Sequence, residues 1–163
     1  MSGIAAADLA AIEVQLGRTP RGIVAIRHRC PCGAPDVVQT LPRLDDGTPF
    51  PTTYYLTCPR AASAVGTLEA SGLMREMEGR LAADLQLAAG YRAAHEAYLA
   101  DREELDHVEE IDGISAGGMP DRVKCLHVLA AHALAAGPGV NPLGDEVLAR
   151  LGEWWTHPCG GRA

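Results

Sequence analysis

Apolar residues recur with a helical period over residues 4–16. Leu9, Ile12 and Leu16 share one stripe there, and Gly17 follows where a left-handed cap residue is expected. The period then changes. Residues 22–29 (GIVAIRHR), 36–41 (DVVQTL) and 52–57 (TTYYLT) are short runs rich in β-branched and aromatic side chains, bounded by Pro and Gly. Asp46-Gly47 is a turn signal between the second and third. These runs predict a small, mainly antiparallel sheet of about three strands. Beyond Pro59 the chain turns Ala-, Leu- and Glu-rich, which predicts helices over 60–70 and 73–80, broken near Ser71-Gly72. Asp84 can cap a longer helix reaching about residue 104. Residues 107–118 lack periodicity and read as a loop. Pro120 fits the first turn of a helix that closes at Ala136 before Gly137, and Asn141-Pro142 opens a last helix to about residue 155. The expected architecture is α+β, with the sheet packed against about five to six helices. Residues 1–156 form a single domain in this reading, and 157–163 a flexible C-terminal tail.

Composition narrows the class. The 163 residues are 47% hydrophobic and 21% charged, with a formal net charge of −7, which speaks against binding extended nucleic acid or an anionic membrane. A local basic cluster can still hold a small anion. Asp8 and Glu13 interrupt the N-terminal stretch, so it does not read as a signal peptide, and no run is long and apolar enough to span a membrane. The expected location is cytoplasmic. In that setting the five cysteines stay reduced, and reactive or metal-binding thiols are favoured over disulfides.

Candidate chemistry centres on Arg29-Cys30-Pro31-Cys32-Gly33, between the first two strands, where two thiols one residue apart can turn toward one ion. Cys58 ends the third strand. If the first and third strands are neighbours, Cys58 lies beside that loop. Three convergent thiolates would form most of a zinc site or an iron–sulfur cradle. On the penultimate helix Cys125 is the first choice for a fourth ligand and His127 the second. Well inside a helix, positions two apart point to nearly opposite sides, so one ion is not expected to take both Cys125 and His127 as well as His132. His132 is expected to pack or hydrogen-bond internally. The alternative is that the cysteines are inert, small buried hydrophobes.

Two further constellations stand beside the cysteines. Gly117-Gly118, followed by Arg122 and Lys124 at the expected helix start, could hold a phosphate or carboxylate, although no Walker or dinucleotide spacing is present. That arrangement suits a small enzyme for a phosphorylated or other anionic metabolite, with His127 or Cys125 doing proton transfer or nucleophilic work. Tyr91, His95 and Tyr98 share one face of the long helix, where they either line a polar pocket or cover the edge of a core.

Four runs carry a resemblance: RCPCGAPDVVQTLPRLDDGTPFPTTYYLTCPR, SGLMREMEGRLAAD, GYRAAHEAYLA and SAGGMPDRVKCLHVLAAHALAAGPGVNPLGDE. Over residues 16–154 the chain resembles the DUF501 proteins of actinobacteria. One departure is Asp84-Leu85, where the family pattern has Asp-Pro. The resemblance supplies relatives without an activity. By gene association it implies a role near cell division or polyphosphate metabolism, including that of a protein-interaction module with inert cysteines.

Overall fold

A computed structural model of the chain describes residues 3–156. The tail expected at 157–163, with His157 and Cys159, lies outside the described residues. The architecture is α+β: six α-helices and a three-stranded antiparallel sheet.

Helix α1 (Ala6–Leu16) ends on Gly17, whose φ of 72° is the left-handed conformation that glycine adopts without a Cβ penalty. Strands β1 (Ile23–Arg29), β2 (Pro35–Thr40) and β3 (Tyr54–Leu56) follow in that spatial order. The register pairs Ile26 with Val38 across β1 and β2, and Val37 with Leu56 across β2 and β3. All of β2 is buried, because it is central and both its faces are covered. One face carries Val37, Tyr54 and Leu56 into the main core, while the other lies under α1.

Helices α2 (Pro59–Ala70), α3 (Leu73–Ala83) and α4 (Leu85–Leu105) run close to the predicted bounds. Asp84 caps α4 by accepting from the Gln86 and Leu87 N–H groups at 3.0 and 3.1 Å. The Asp84-Leu85 sequence therefore keeps the helix start. Helix α5 (Leu126–Ala136) is the hub, burying residues 128–133 continuously, and α6 (Pro142–Leu151) lies against it. At that crossing a Cβ on Gly144 would stand 2.3 Å from the Leu129 carbonyl oxygen.

Two boundaries differ from expectation. Helix α5 begins at Leu126, not at Pro120. Gly117 and Gly118 both take positive φ, and their carbonyls accept from Lys124 and Arg122 N–H groups at 2.8 Å, closing the segment into turns. A Cβ on Gly118 would stand 2.7 Å from the Arg122 carbonyl oxygen, so this packing requires glycine. The last helix stops at Leu151, where Gly152 takes φ 62°, and Trp154–Thr156 forms a separate short 3-10 turn.

Candidate functional site

Helix α5 lacks a side-chain cap of its own: Cys125 occupies the cap position in an extended conformation and makes no side-chain cap bond. The exposed N–H of Leu126 instead donates to Glu69 Oε2 at 2.8 Å. Glu69 stands in the last turn of α2 and reaches across to the start of α5. A carboxylate is unfavourable at the C-terminal end of its own helix but favourable at the N-terminal end of another, and here it is drawn to the second.

The other oxygen, Glu69 Oε1, faces His127 Nδ1 at 3.1 Å. His127 Nε2 lies 3.1 Å from the Ala62 carbonyl oxygen. A carbonyl only accepts, so Nε2 carries a proton and donates it there. The Cys125 side chain also hydrogen-bonds the ring, and that contact, together with Glu69, raises the His127 pKa to about 9 against the opposing effect of burial. Metal-free at neutral pH, His127 is therefore an imidazolium held between a carboxylate, a carbonyl and a thiol group.

Cys125 Sγ, a His127 ring nitrogen and a Glu69 oxygen lie within 4.8 Å of one another, all half-buried, and among the described residues this is the group with spacing able to hold a metal ion. One helix thus gives Cys125 and His127 to the same point. The helical-wheel objection does not apply, because Cys125 is the cap and stands off the wheel.

The four-thiolate arrangement does not form. Its premise was that β1 and β3 are neighbours, but β2 lies between them. Two strand spacings put roughly 10 Å between β1 and β3. Cys30 and Cys32 sit in the β1–β2 turn, Cys30 buried and Cys32 exposed, with the Cys32 N–H donating to Cys30 Sγ at 3.5 Å. Cys58 is fully buried and its sulfur accepts from the Ala61 N–H, capping α2.

The expected anion site is filled from within. The Val123 N–H and Arg122 Nε both donate to Glu78 Oε1 at 2.9 Å, which holds that carboxyl below the usual glutamate range. The Gly117-Gly118 turn is closed by the Lys124 and Arg122 N–H groups, and Gly117 packs against Cys125 and Val128 at the start of α5. Tyr91, His95 and Tyr98 are buried and tie the fold together. Tyr91 Oη donates to the Arg122 carbonyl, His95 Nδ1 pairs with Ser115 Oγ, and Tyr98 Oη accepts from the Thr53 and Tyr54 N–H groups. His132 is fully buried, stacked on Tyr54 and edge-on to Tyr98.

Glu69 is the site residue that sequence reasoning missed. Its one signal was an uncompensated acidic residue in the last turn of an Ala-rich helix, placed against the helix dipole. Beside the group opens a cleft of about 440 Å³, into which Cys125 and His127 face together with Thr57 and Gln15. No described helix is long and apolar enough to cross a membrane.

No curated protein and no solved structure matches the chain. The family model described as "Protein of unknown function (DUF501)" matches residues 26–149, a span that contains Glu69, Cys125 and His127. The chain belongs to the DUF501 family.

Proposed function

We propose that the protein binds a divalent transition-metal ion, zinc by its donor set, through Glu69, Cys125 and His127, with a fourth coordination position open to the cleft. One observation carries this reading: a ligand atom of each of the three residues lies within 4.8 Å of the other two. His127 Nε2–H is fixed on the Ala62 carbonyl and Glu69 Oε2 on the Leu126 N–H, which leaves Nδ1 and Oε1 facing each other at 3.1 Å. A histidine whose second nitrogen donates to a backbone carbonyl, and a carboxylate whose second oxygen is hydrogen-bonded, are the usual supports of metal ligands. Mixed sulfur, nitrogen and oxygen donors suit zinc, and three protein ligands with an open position are the pattern of reactive rather than purely structural zinc. An iron–sulfur cluster wants four thiolates, and among the described residues no such group of cysteines has ligand spacing.

Because His127 is protonated beforehand, zinc must displace its Nδ1 proton, and affinity therefore rises with pH. The test is zinc and cobalt titration of the chelator-treated protein, with Cys125→Ser, His127→Gln and a triple Cys30/Cys32/Cys58→Ser variant alongside. Expected are one equivalent of metal and a sulfur-to-cobalt charge-transfer band. Both are lost in the first two variants and kept in the third. Retention of stoichiometric metal by Cys125→Ser and His127→Gln refutes the assignment.

A second reading uses the same atoms without metal. The thiol beside an imidazolium backed by a carboxylate is also the arrangement of a cysteine nucleophile with its acid–base partner. Site-selective alkylation of Cys125 by iodoacetamide, slowed by His127→Gln in metal-free protein, supports this alternative.

A further inference from the structure

The cleft beside Cys125 and His127 is lined by all three residues of β3, Tyr54, Tyr55 and Leu56, and by Thr57, which continues the extended chain. Successive side chains of a strand point to opposite faces, so a cavity touching four in a row lies along the strand's edge and not over a face. The helices around it agree. Leu16 of α1 comes from one side of the sheet and Val128 of α5 from the other, and both line the same cleft. It therefore wraps the outer edge of β3, the sheet's terminal strand.

The backbone there has a definite polarity. The Thr40 N–H donates to the Thr53 carbonyl and the Thr57 N–H to the Asp36 carbonyl, while Tyr55 stands opposite Val38. Residues 53, 55 and 57 thus turn toward β2, and antiparallel alternation turns Tyr54 and Leu56 outward. The Tyr54 N–H donates to Tyr98 Oη at 3.2 Å. Leu56 is then the residue that presents an outward N–H and C=O beside the cleft. Its lining is otherwise neutral: hydroxyls, an amide and aromatic rings, with neither Lys nor Arg among the described residues, and the His127 charge answered by Glu69. A phosphorylated ligand would find no unmatched positive charge here. A neutral main chain finds one outward N–H and C=O pair, that of Leu56, on a strand otherwise covered by the helices, with the Tyr54 N–H already taken by Tyr98.

We propose that this cleft binds a peptide segment in extended conformation, added as a fourth strand at Leu56, with one of its carbonyl groups brought beside Cys125 and His127. Only the last clause rests on the metal reading, since pairing with β3 needs no metal. At about 440 Å³ the cleft falls within the range of small-ligand sites, about 300–1,000 Å³, enough for a few residues.

The test uses the full chain, isotopically labelled, and a library of acetylated and amidated hexapeptides with varied residues at alternate positions. The expected result is binding that slows exchange of the Leu56 amide by at least about tenfold. N-methylation of the best peptide at one alternate set of nitrogens should abolish binding, and methylation of the other set should leave it, because edge pairing uses every second amide. The proposal is overturned if no member binds at about 1 mM, the weak limit of specific association. It is equally overturned if both methylated sets bind alike, or if the protected amides lie elsewhere. Repeating the experiment with metal-free Cys125→Ser separates the two readings. Retained Leu56 protection keeps the peptide site whatever becomes of the metal, and a zinc-dependent gain in the parent protein that vanishes in this variant links them.

Discussion

Glu69 joins two helices and stands in the proposed ligand set, so its replacement should report on stability and metal affinity at once. In the metal-free protein it caps α5 through the Leu126 N–H and pairs with His127 at 3.1 Å, the two side chains being 24% and 35% exposed. Loss of a helix cap costs about 1 kcal/mol. A partly solvated ion pair adds roughly 0.5–1 kcal/mol. Glu69→Ala should therefore destabilise the metal-free fold by about 2 kcal/mol, a fall in melting temperature of roughly 4–8 °C for a domain of this size. Glu69→Gln keeps an oxygen for the Leu126 N–H and loses only the charge, so about 1 kcal/mol or less should be lost. Urea denaturation, with and without zinc, measures both. Zinc at a hundred times its dissociation constant should add about 2.7 kcal/mol to the parent protein. At that concentration both variants should gain much less, since each has lost an anionic ligand. If Glu69→Ala unfolds at the parent midpoint in chelator and gains the same from zinc, the carboxylate neither caps α5 nor binds metal, and the site as drawn is wrong.

Four other outcomes follow from the packing. The Asn141 side-chain oxygen accepts from the Gly144 N–H, so its NH₂ must donate to His132 Nδ1 at 3.1 Å, and burial depresses the His132 pKa to about 4. An unfolded histidine titrates near 6.5, so stability should be full above that pH and fall by about 3 kcal/mol as pH drops from 6.5 to 4. An imidazole resonance of His132 titrating near 6.5 in the folded protein would contradict this. Tyr98→Phe leaves the Thr53 and Tyr54 amides without their acceptor and should cost about 1–3 kcal/mol by denaturant titration. Gly144→Ala drives a methyl against the Leu129 carbonyl and should destabilise by about 1–3 kcal/mol or more, seen as a lower melting temperature. Asp84→Ala removes the α4 cap and should cost about 1 kcal/mol by the same measurement.

The elements were legible because local rules governed them. Periodicity marked α1, and Asp84 and Asn141 marked helix starts through caps that depend on neighbours only two or three residues away. The start of α5 was misread because Pro120 has the local signature of a first turn. The deciding contacts, Glu78 to Val123 and Glu69 to Leu126, come from helices far earlier in the chain. Cys125 and His127 were visible as metal-ligand types on one segment. Their convergence was not, since it depends on Cys125 lying at the cap. The gathering of Cys30, Cys32 and Cys58 turned on strand order, and short strands of similar composition do not state which of them is central.

The same long-range contacts bear on what kind of ligand the chain can accept. Two stretches of free backbone N–H groups near residues 117–126 would ordinarily attract an anion, and the fold answers both with its own carboxylates, Glu78 at Val123 and Glu69 at Leu126. A phosphate arriving there would have to displace a tethered carboxylate already matched to a guanidinium or an imidazolium. A cation at Glu69 and Cys125 would take the place of the His127 and Cys125 protons, keeping the carboxylate, the sulfur and the Ala62 support in use. The balance of charge within the site therefore favours a metal ion over the anionic metabolite suggested by the Gly117-Gly118 and Arg122-to-Lys124 stretch. It also makes proton release on zinc binding, measured by calorimetry in buffers of different ionisation enthalpy, a direct sign of which group the ion displaces. Close to one proton from His127, plus whatever Cys125 releases, is expected near neutral pH, and the His127 share should disappear above pH 9.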